Sequence, residues 1–137
     1  MRLFVDASLL IYLNTLSDGE RRISYEEFYI DLVRDNTLYT DVLVLDELIY
    51  VSKRKYGVPY EVTLEFIESI VLPYVIVLPL GADEYNHARR FMLDFGLKPS
   101  DALHLGVMAS NGIQAIVTED TDFDKVKEVK RIWLESA

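Results

Sequence analysis

The chain has 137 residues, half of them hydrophobic, which suffices for one domain with its own core and excludes an intrinsically disordered protein. Fourteen Lys and Arg against 23 Asp and Glu give a formal charge of −9, which disfavours a simple nucleic-acid binder and suits divalent cations or a basic partner. The absence of cysteine, of a signal-peptide pattern and of an apolar run long enough to span a membrane predicts a cytoplasmic protein without disulfides or thiolate metal sites.

The first strand is predicted at residues 3–5, which are apolar and favour β structure, and a helix is predicted from Ser8 onward. Asp6 lies at the turn between them. Because open α/β sheets bind ligands at the carboxyl ends of their strands, this carboxylate has two interpretations. It could cap the first helix or bind a metal ion, and this stretch alone favours the cap.

Capping residues predict where several later helices begin. Ser24 and Glu27 match a capping box at the start of the second helix, and Ser100 is the predicted N-cap of a helix over residues 101–109. Thr40 or Asp41 is expected to cap the helix after the second strand. Further helices are predicted over residues 42–56, 60–71 and 82–95, with a short one from Phe123.

The remaining strands are short and apolar. The third, over residues 74–78, is predicted to be buried on both faces, and Tyr50 and Tyr85 are predicted to face the core from their helices. The other strands are expected at residues 38–40, 114–118 and 131–134. This alternation predicts a single domain over residues 1–137 with a three-layer α/β fold and a central, mostly parallel sheet of four to five strands.

Four acidic residues differ from the others because they lie in apolar stretches or at strand ends: Asp6, Glu47, Asp101 and Asp120, with Asp122 beside the last. Parallel neighbouring strands would bring such residues to one edge of the sheet. Grouped carboxylates repel and raise one another's pKa unless a cation neutralises them. No Lys or Arg adjoins any of the four in sequence, so a bound Mg²⁺ or Mn²⁺ is the expected cation.

The reaction that uses such a site on nucleic acid is metal-assisted hydrolysis of a phosphodiester bond. Metal ions would also carry positive charge to the phosphate, which makes the acidic composition easier to understand. Whether one or two ions bind is open at this stage.

Four stretches resemble, in order, the four motifs of PIN-domain ribonucleases: FVDASLLI at 4–11, VLDEL at 44–48, PSDALHL at 99–105 and VTEDTDF at 117–123. By this resemblance Asp6, Glu47, Asp101 and Asp120 are the catalytic acids that coordinate Mg²⁺ or Mn²⁺. Ser8 and Thr118 support the site by hydrogen bonding, and Asp122 assists. The sequence leaves open whether Asp120 or Asp122 is the closer ligand.

Small members of this family are often VapC-type toxins, which cleave RNA, form homodimers and are silenced by a small antitoxin encoded beside them. The resemblance implies the same substrate and partners here. Two positions depart from the family pattern. Ala7 follows the first aspartate where the family usually has Asn, Thr or Ser, and Glu119 stands where a basic or small residue is common.

Other interpretations remain open from the sequence. A non-catalytic scaffold could bind a basic partner through its acidic surface, and a phosphatase or phospho-acceptor domain could use Asp6, although Ser8 replaces the second aspartate that phosphatases need. His104 shares a helix face with Asp101. It is expected to support a neighbouring site residue or to pack in the core, and it is not counted among the catalytic residues. The cations at residues 53–55 complement a helix dipole or, less favoured, contact phosphate.

Overall fold

The computed structural model describes residues 1–134 as five strands and six α-helices. The strands are β1 (Arg2–Val5), β2 (Thr37–Asp41), β3 (Val75–Leu78), β4 (Ala115–Val117) and β5 (Lys130–Ile132). The helices are α1 (Ala7–Thr15), α2 (Glu20–Asp35), α3 (Val42–Tyr56), α4 (Tyr60–Phe66), α5 (Ala82–Phe95) and α6 (Pro99–Ser110). A π-helical turn, Ile67–Val71, continues α4, and a 3₁₀ turn, Thr121–Lys125, precedes β5.

The sheet is wholly parallel, with strand order β3-β2-β1-β4-β5. Helix α1 packs against both α2 and α3, α3 packs against α4, and α5 packs along α6. This is the predicted three-layer α/β fold, with five strands in the sheet. None of the helices within residues 1–134 is both long enough and apolar enough to cross a bilayer.

The central strand β1 places its carboxyl end at the middle of one sheet edge. Phe4 and Val5 are completely buried, because neighbouring strands cover both sides of β1 and helices cover the sheet. The backbone N–H of Asp6 continues the ladder by donating to Val117 O at 3.0 Å. The residues that follow β1, β2 and β4 therefore meet at the same edge.

Two predicted helix starts are wrong. Helix α2 begins at Glu20 after Gly19, whose φ of 151° is a conformation that glycine adopts readily, so Ser24 lies inside the helix and donates to Glu20 O. Helix α6 begins at Pro99 because proline is favoured at the first helical position, and Ser100 is the second helical residue.

The burial predictions for the third strand and for two tyrosines are also wrong. β3 is an edge strand with one neighbour, and Ile76 and Val77 are 51% and 37% exposed. Tyr50 and Tyr85 are 57% and 51% exposed, because the buried faces of α3 and α5 run through other positions. Hydrophobic composition alone does not distinguish an edge strand from a central one.

Helices α5 and α6 approach each other closely at Gly106, where a Cβ atom would lie 2.3 Å from the backbone oxygen of Glu84. We therefore expect Gly106→Ala to lower the free energy of unfolding by about 2 to 3 kcal/mol, since the two backbones must move apart. Urea denaturation measures the change. Gly81→Ala is the matched control, because its Cβ would meet nothing closer than 3.8 Å. Equal destabilisation by both variants would contradict the close approach.

Candidate active site

A cleft of about 480 Å³ opens at the carboxyl edge of the sheet. All four predicted acids, Asp6, Glu47, Asp101 and Asp120, line it. They come from four separate elements: the end of β1, helix α3, the first turn of α6 and the loop after β4. The fold thus brings together residues that lie up to 114 positions apart in the sequence. The other lining residues are Ser8, Ile11, Lys98, Pro99, Ser100, Thr118 and Glu119.

Asp6 is held in place by two hydrogen bonds. One carboxylate oxygen accepts the backbone N–H of Ala7 at 2.8 Å, which makes Asp6 the N-cap of α1. The other oxygen accepts the hydroxyl of Thr118 at 2.8 Å, and that hydroxyl oxygen in turn accepts the backbone N–H of Asp120 at 3.1 Å. The helix cap that the first stretch favours is present, and the same carboxylate lines the cleft.

Asp101, Asp120 and Asp122 each offer one carboxylate oxygen, and these three oxygens lie within 4.8 Å of one another. A divalent cation that takes oxygen ligands at about 2.0–2.6 Å fits such a spacing. The backbone N–H of Asp122 donates to Asp120 Oδ1 at 2.9 Å and fixes the loop that carries both residues. The donor set is entirely oxygen, which suits Mg²⁺ or Mn²⁺ better than softer metals.

Electrostatic repulsion among the acids is visible in two pKa shifts. Burial, followed by the carboxylates of Asp6 and Asp120, raises the pKa of Asp101 to about 6. Burial also raises the pKa of Glu47, again with contributions from the other acids, while His104 opposes both shifts. The metal-free cleft therefore favours partial protonation, and a bound cation would relieve the repulsion.

A buried pair that the sequence did not reveal supports this edge of the sheet. His104 Nδ1 lies 2.7 Å from Asp41 Oδ2, and His104 Nε2 lies 3.7 Å from Asp6 Oδ1. The other oxygen of Asp41 accepts the backbone N–H of Val44 at 3.0 Å and caps α3. Burial lowers the pKa of His104, but the hydrogen bond to Asp41 and the nearby carboxylates outweigh it, so the pKa is raised overall.

The prediction that His104 supports the site or packs in the core, outside the catalytic residues, agrees with this geometry. Its partner Asp41 is recognisable in the sequence only as a candidate helix cap. The two residues are 63 positions apart, and nothing local in either stretch signals the pairing.

Ser8 and Glu119 meet at the rim of the cleft. Ser8 Oγ accepts the backbone N–H of Glu119 at 3.2 Å, and the hydroxyl of Tyr12 donates to Glu119 Oε1 at 2.6 Å. This hydrogen bond, followed by burial, raises the pKa of Tyr12 to about 12. The acid at the unusual position of the last motif is therefore bound to a tyrosine on α1, and no local pattern in the sequence indicates that contact.

Replacing Asp101 with Asn should stabilise the metal-free protein at neutral pH. The pKa of Asp101 is about 6 in the folded protein against about 4 in an unfolded chain. The protonated carboxyl group therefore makes its full contribution to the stability of the fold below pH 4, and this contribution is lost as the pH rises through 6. Allowing for solvent screening, we expect the free energy of unfolding of Asp101→Asn to exceed that of the wild type by about 1 kcal/mol at pH 7 and to equal it at pH 4. Urea denaturation in EDTA measures both values. Asp94→Asn, at an exposed position of α5, should follow the wild type at both pH values; an equal gain there would contradict the explanation.

Comparisons with known proteins agree with this geometry. The PIN domain profile matches residues 3–129, a range that includes all four cleft acids. Ribonuclease VapC13 of Mycobacterium tuberculosis is 29% identical over 134 residues, covering 95% of this chain and 98% of that protein. VapC20 of the same organism, described as a sarcin-ricin loop cleaving toxin, superposes with a TM-score of 0.72 at 22% identity, covering 89% of this chain and 92% of that one. A toxin–antitoxin complex from Klebsiella pneumoniae gives a TM-score of 0.65 at 17% identity, with 93% and 94% covered.

Proposed function

Because the chain belongs to the PIN-domain family, we propose that it is a divalent-metal-dependent endoribonuclease that hydrolyses phosphodiester bonds of RNA. The observation that carries this proposal is the convergence of Asp6, Glu47, Asp101 and Asp120 on one cleft. The name of the relative VapC13, a ribonuclease, supports the choice of RNA as substrate.

The proposed metal is Mg²⁺ or Mn²⁺, held by the carboxylates of Asp101 and Asp120 with Asp122, Asp6 and Glu47 around them. When bound, such an ion activates an attacking water and neutralises charge on the scissile phosphate. The chain's own residues prepare the site before binding. Thr118 and the N-terminus of α1 fix the Asp6 carboxylate, and this fixed geometry avoids the cost of reorganising it during the reaction.

The pair formed by Asp41 and His104 has an electrostatic role in this proposal. Its imidazole lies beside Asp6, and its positive charge lowers the pKa of Glu47 and Asp101. His104 therefore offsets part of the repulsion among the cleft acids while the metal is absent. Both members of the pair are buried, so neither contacts the substrate in this scheme.

The proposed biological role is the toxin of a type II toxin–antitoxin pair in the cytoplasm, acting as a homodimer and silenced by a small antitoxin. The fold shared with the Klebsiella toxin–antitoxin complex supports this assignment. Expression of the protein alone in a bacterial host should arrest growth, and co-expression of the small protein encoded beside its gene should restore growth. Normal growth without the neighbour would contradict the toxin role and leave the ribonuclease proposal standing.

The activity is tested by incubating a labelled single-stranded RNA with the protein and increasing Mn²⁺ or Mg²⁺. Cleavage should rise to saturation with the metal, stop in excess EDTA and return when metal is added back. Cleavage that persists in EDTA would contradict metal dependence. No cleavage at any metal concentration, with tight binding to a basic protein, would favour the non-catalytic scaffold, and trapping of a phosphorylated Asp6 by acetyl phosphate would favour the phospho-acceptor.

A further inference from the structure

The last two turns of α3 and the first residue of α4 carry a concentration of positive charge and exposed aromatic rings that the proposed active site does not include. We call it the basic–aromatic patch and define it as Tyr50, Lys53, Arg54, Lys55, Tyr56 and Tyr60. The three tyrosines are 57%, 44% and 49% exposed, in that order. Lys53 Nζ lies 5.3 Å from the centre of the Tyr60 ring, and Lys55 Nζ lies 5.4 Å from the centre of the Tyr56 ring.

The three cations of the patch are unpaired among the residues described. Within residues 1–134 none of them forms an ion pair, whereas five other cations do: Arg22, Arg34, Arg90, Lys125 and Arg131. Cations at a helix C-terminus complement the helix dipole, but that effect is small and screened by salt. It does not account for the exposed tyrosines beside them. A local positive surface on a chain of charge −9 is suited to a polyanion that the rest of the surface repels.

Two members of the patch, Tyr50 and Arg54, share one face of α3 with the cleft. Glu47 lines the cleft, and Tyr50 and Arg54 follow it by three and seven residues, which is the spacing of side chains on one helix face. At 1.5 Å per residue, Arg54 lies about 10 Å along the helix axis from Glu47. That distance corresponds to about three stacked nucleotides at ~3.4 Å each.

We propose that the basic–aromatic patch binds the RNA strand on one side of the scissile bond, with Lys53, Arg54 and Lys55 contacting phosphates and Tyr50 stacking on a base. This inference rests on the proposed ribonuclease function and adds a substrate-binding surface to it. Single-stranded nucleic acids are commonly bound in this way, by cations along the backbone and aromatic rings against the bases. The stacking is tolerant of sequence, so the patch determines where the strand runs and how long a substrate must be.

The test compares two variants with the same charge change. The patch variant is Lys53→Gln, Arg54→Gln and Lys55→Gln together, and the control is Arg89→Gln, Lys127→Gln and Lys130→Gln, three exposed cations elsewhere. On a twelve-nucleotide RNA the patch variant should raise KM about tenfold or more with kcat unchanged, while the control stays near the wild type. On a dinucleotide, which has one nucleotide on each side of the scissile bond and is too short to reach the three cations, all three proteins should have the same kcat/KM.

A single-residue comparison isolates the aromatic contribution. Tyr50→Ala should weaken binding of a fluorescent twelve-nucleotide RNA about tenfold in EDTA, where no cleavage occurs, and Tyr50→Phe should bind like the wild type. The slope of log affinity against log salt should fall by about 2 in the patch variant, since three phosphate contacts are lost at ~0.7 each.

Equal KM and equal RNA affinity for the patch and control variants would overturn the inference, and so would an equal loss in both. Size-exclusion chromatography with light scattering provides a second check. If the patch substitutions convert a dimer to a monomer, the surface is a protein contact and the inference is overturned as well. Failure of the two proposals is distinguishable. A wild type that binds but never cleaves RNA contradicts the ribonuclease function, whereas a wild type that cleaves while the patch variant matches the control contradicts only the patch.

Discussion

Asp6→Asn is expected to lower the kcat for RNA cleavage by at least about a hundredfold in saturating Mn²⁺, because it removes a charge from the cleft where we propose that the metal and the scissile phosphate bind. The substitution preserves shape. The amide oxygen of Asn can still accept the N–H of Ala7, and the hydroxyl of Thr118 can rotate to accept from the new NH₂ group. The loss of activity therefore reports the charge rather than the fold. Steady-state cleavage of a labelled RNA measures it.

Two checks accompany this prediction. Asp46→Asn changes an exposed acid next to Glu47, outside the residues that line the cleft, and should leave kcat within about twofold of the wild type. Asp6→Asn should unfold in urea within about 1 kcal/mol of the wild type, which excludes a folding defect. If Asp6→Asn cleaves RNA at the wild-type rate, Asp6 is a helix cap and nothing more.

The second large effect is on stability. Asp41→Ala should lower the free energy of unfolding by about 3 kcal/mol, because one change removes the cap of α3 and leaves the buried His104 ring without its partner. The folded-state pKa of His104 is raised, so the stabilisation from its charged form is present below the unfolded pKa near 6.5 and is lost as pH rises through the folded pKa. The cost of Asp41→Ala should therefore be greater at pH 6 than at pH 9, as urea denaturation at the two pH values will show.

A double variant separates the two contributions to that cost. Asp41→Ala with His104→Phe leaves no unpaired imidazole and should recover part of the stability lost in Asp41→Ala alone. Asp18→Ala, in the exposed loop before α2, serves as the control and should change stability by less than about 0.5 kcal/mol. If Asp41→Ala costs no more than this control, the buried pair does not stabilise the fold.

Local patterns are sufficient to predict the fold class and the four acids that line the cleft. A short apolar strand followed at once by Asp6 placed that acid at the carboxyl edge, and the same reasoning applied to Asp120 after β4. Since all five strands are parallel, their carboxyl ends necessarily lie on one side. The order of the strands in the sheet is not predictable in this way. β3 has the composition of a buried strand, but it pairs only with β2 and therefore lies at an edge of the sheet.

The contacts that tune the site could not be predicted because they join distant segments. Asp41 reads as a helix cap and His104 as a packing residue, and only the packing of α6 near β2 brings them together. In the same way, the bond between Tyr12 and Glu119 requires α1 to lie beside the loop after β4. The predicted helix start at Ser24 is wrong for a different reason, since Gly19 caps the helix five residues before the position that the capping box indicates.

The most direct test of the metal centre is anomalous diffraction from crystals soaked in Mn²⁺. We expect a manganese peak in the cleft, at about 2.0–2.3 Å from carboxylate oxygens of Asp101 and Asp120, with Asp122, Asp6 or Glu47 completing the shell directly or through water. The ligand distances will also decide whether Asp120 or Asp122 is the closer residue and whether one or two ions bind. Crystals of Asp101→Asn should show a weaker peak or none. Saturating Mn²⁺ without any peak among these carboxylates would contradict the proposed metal centre.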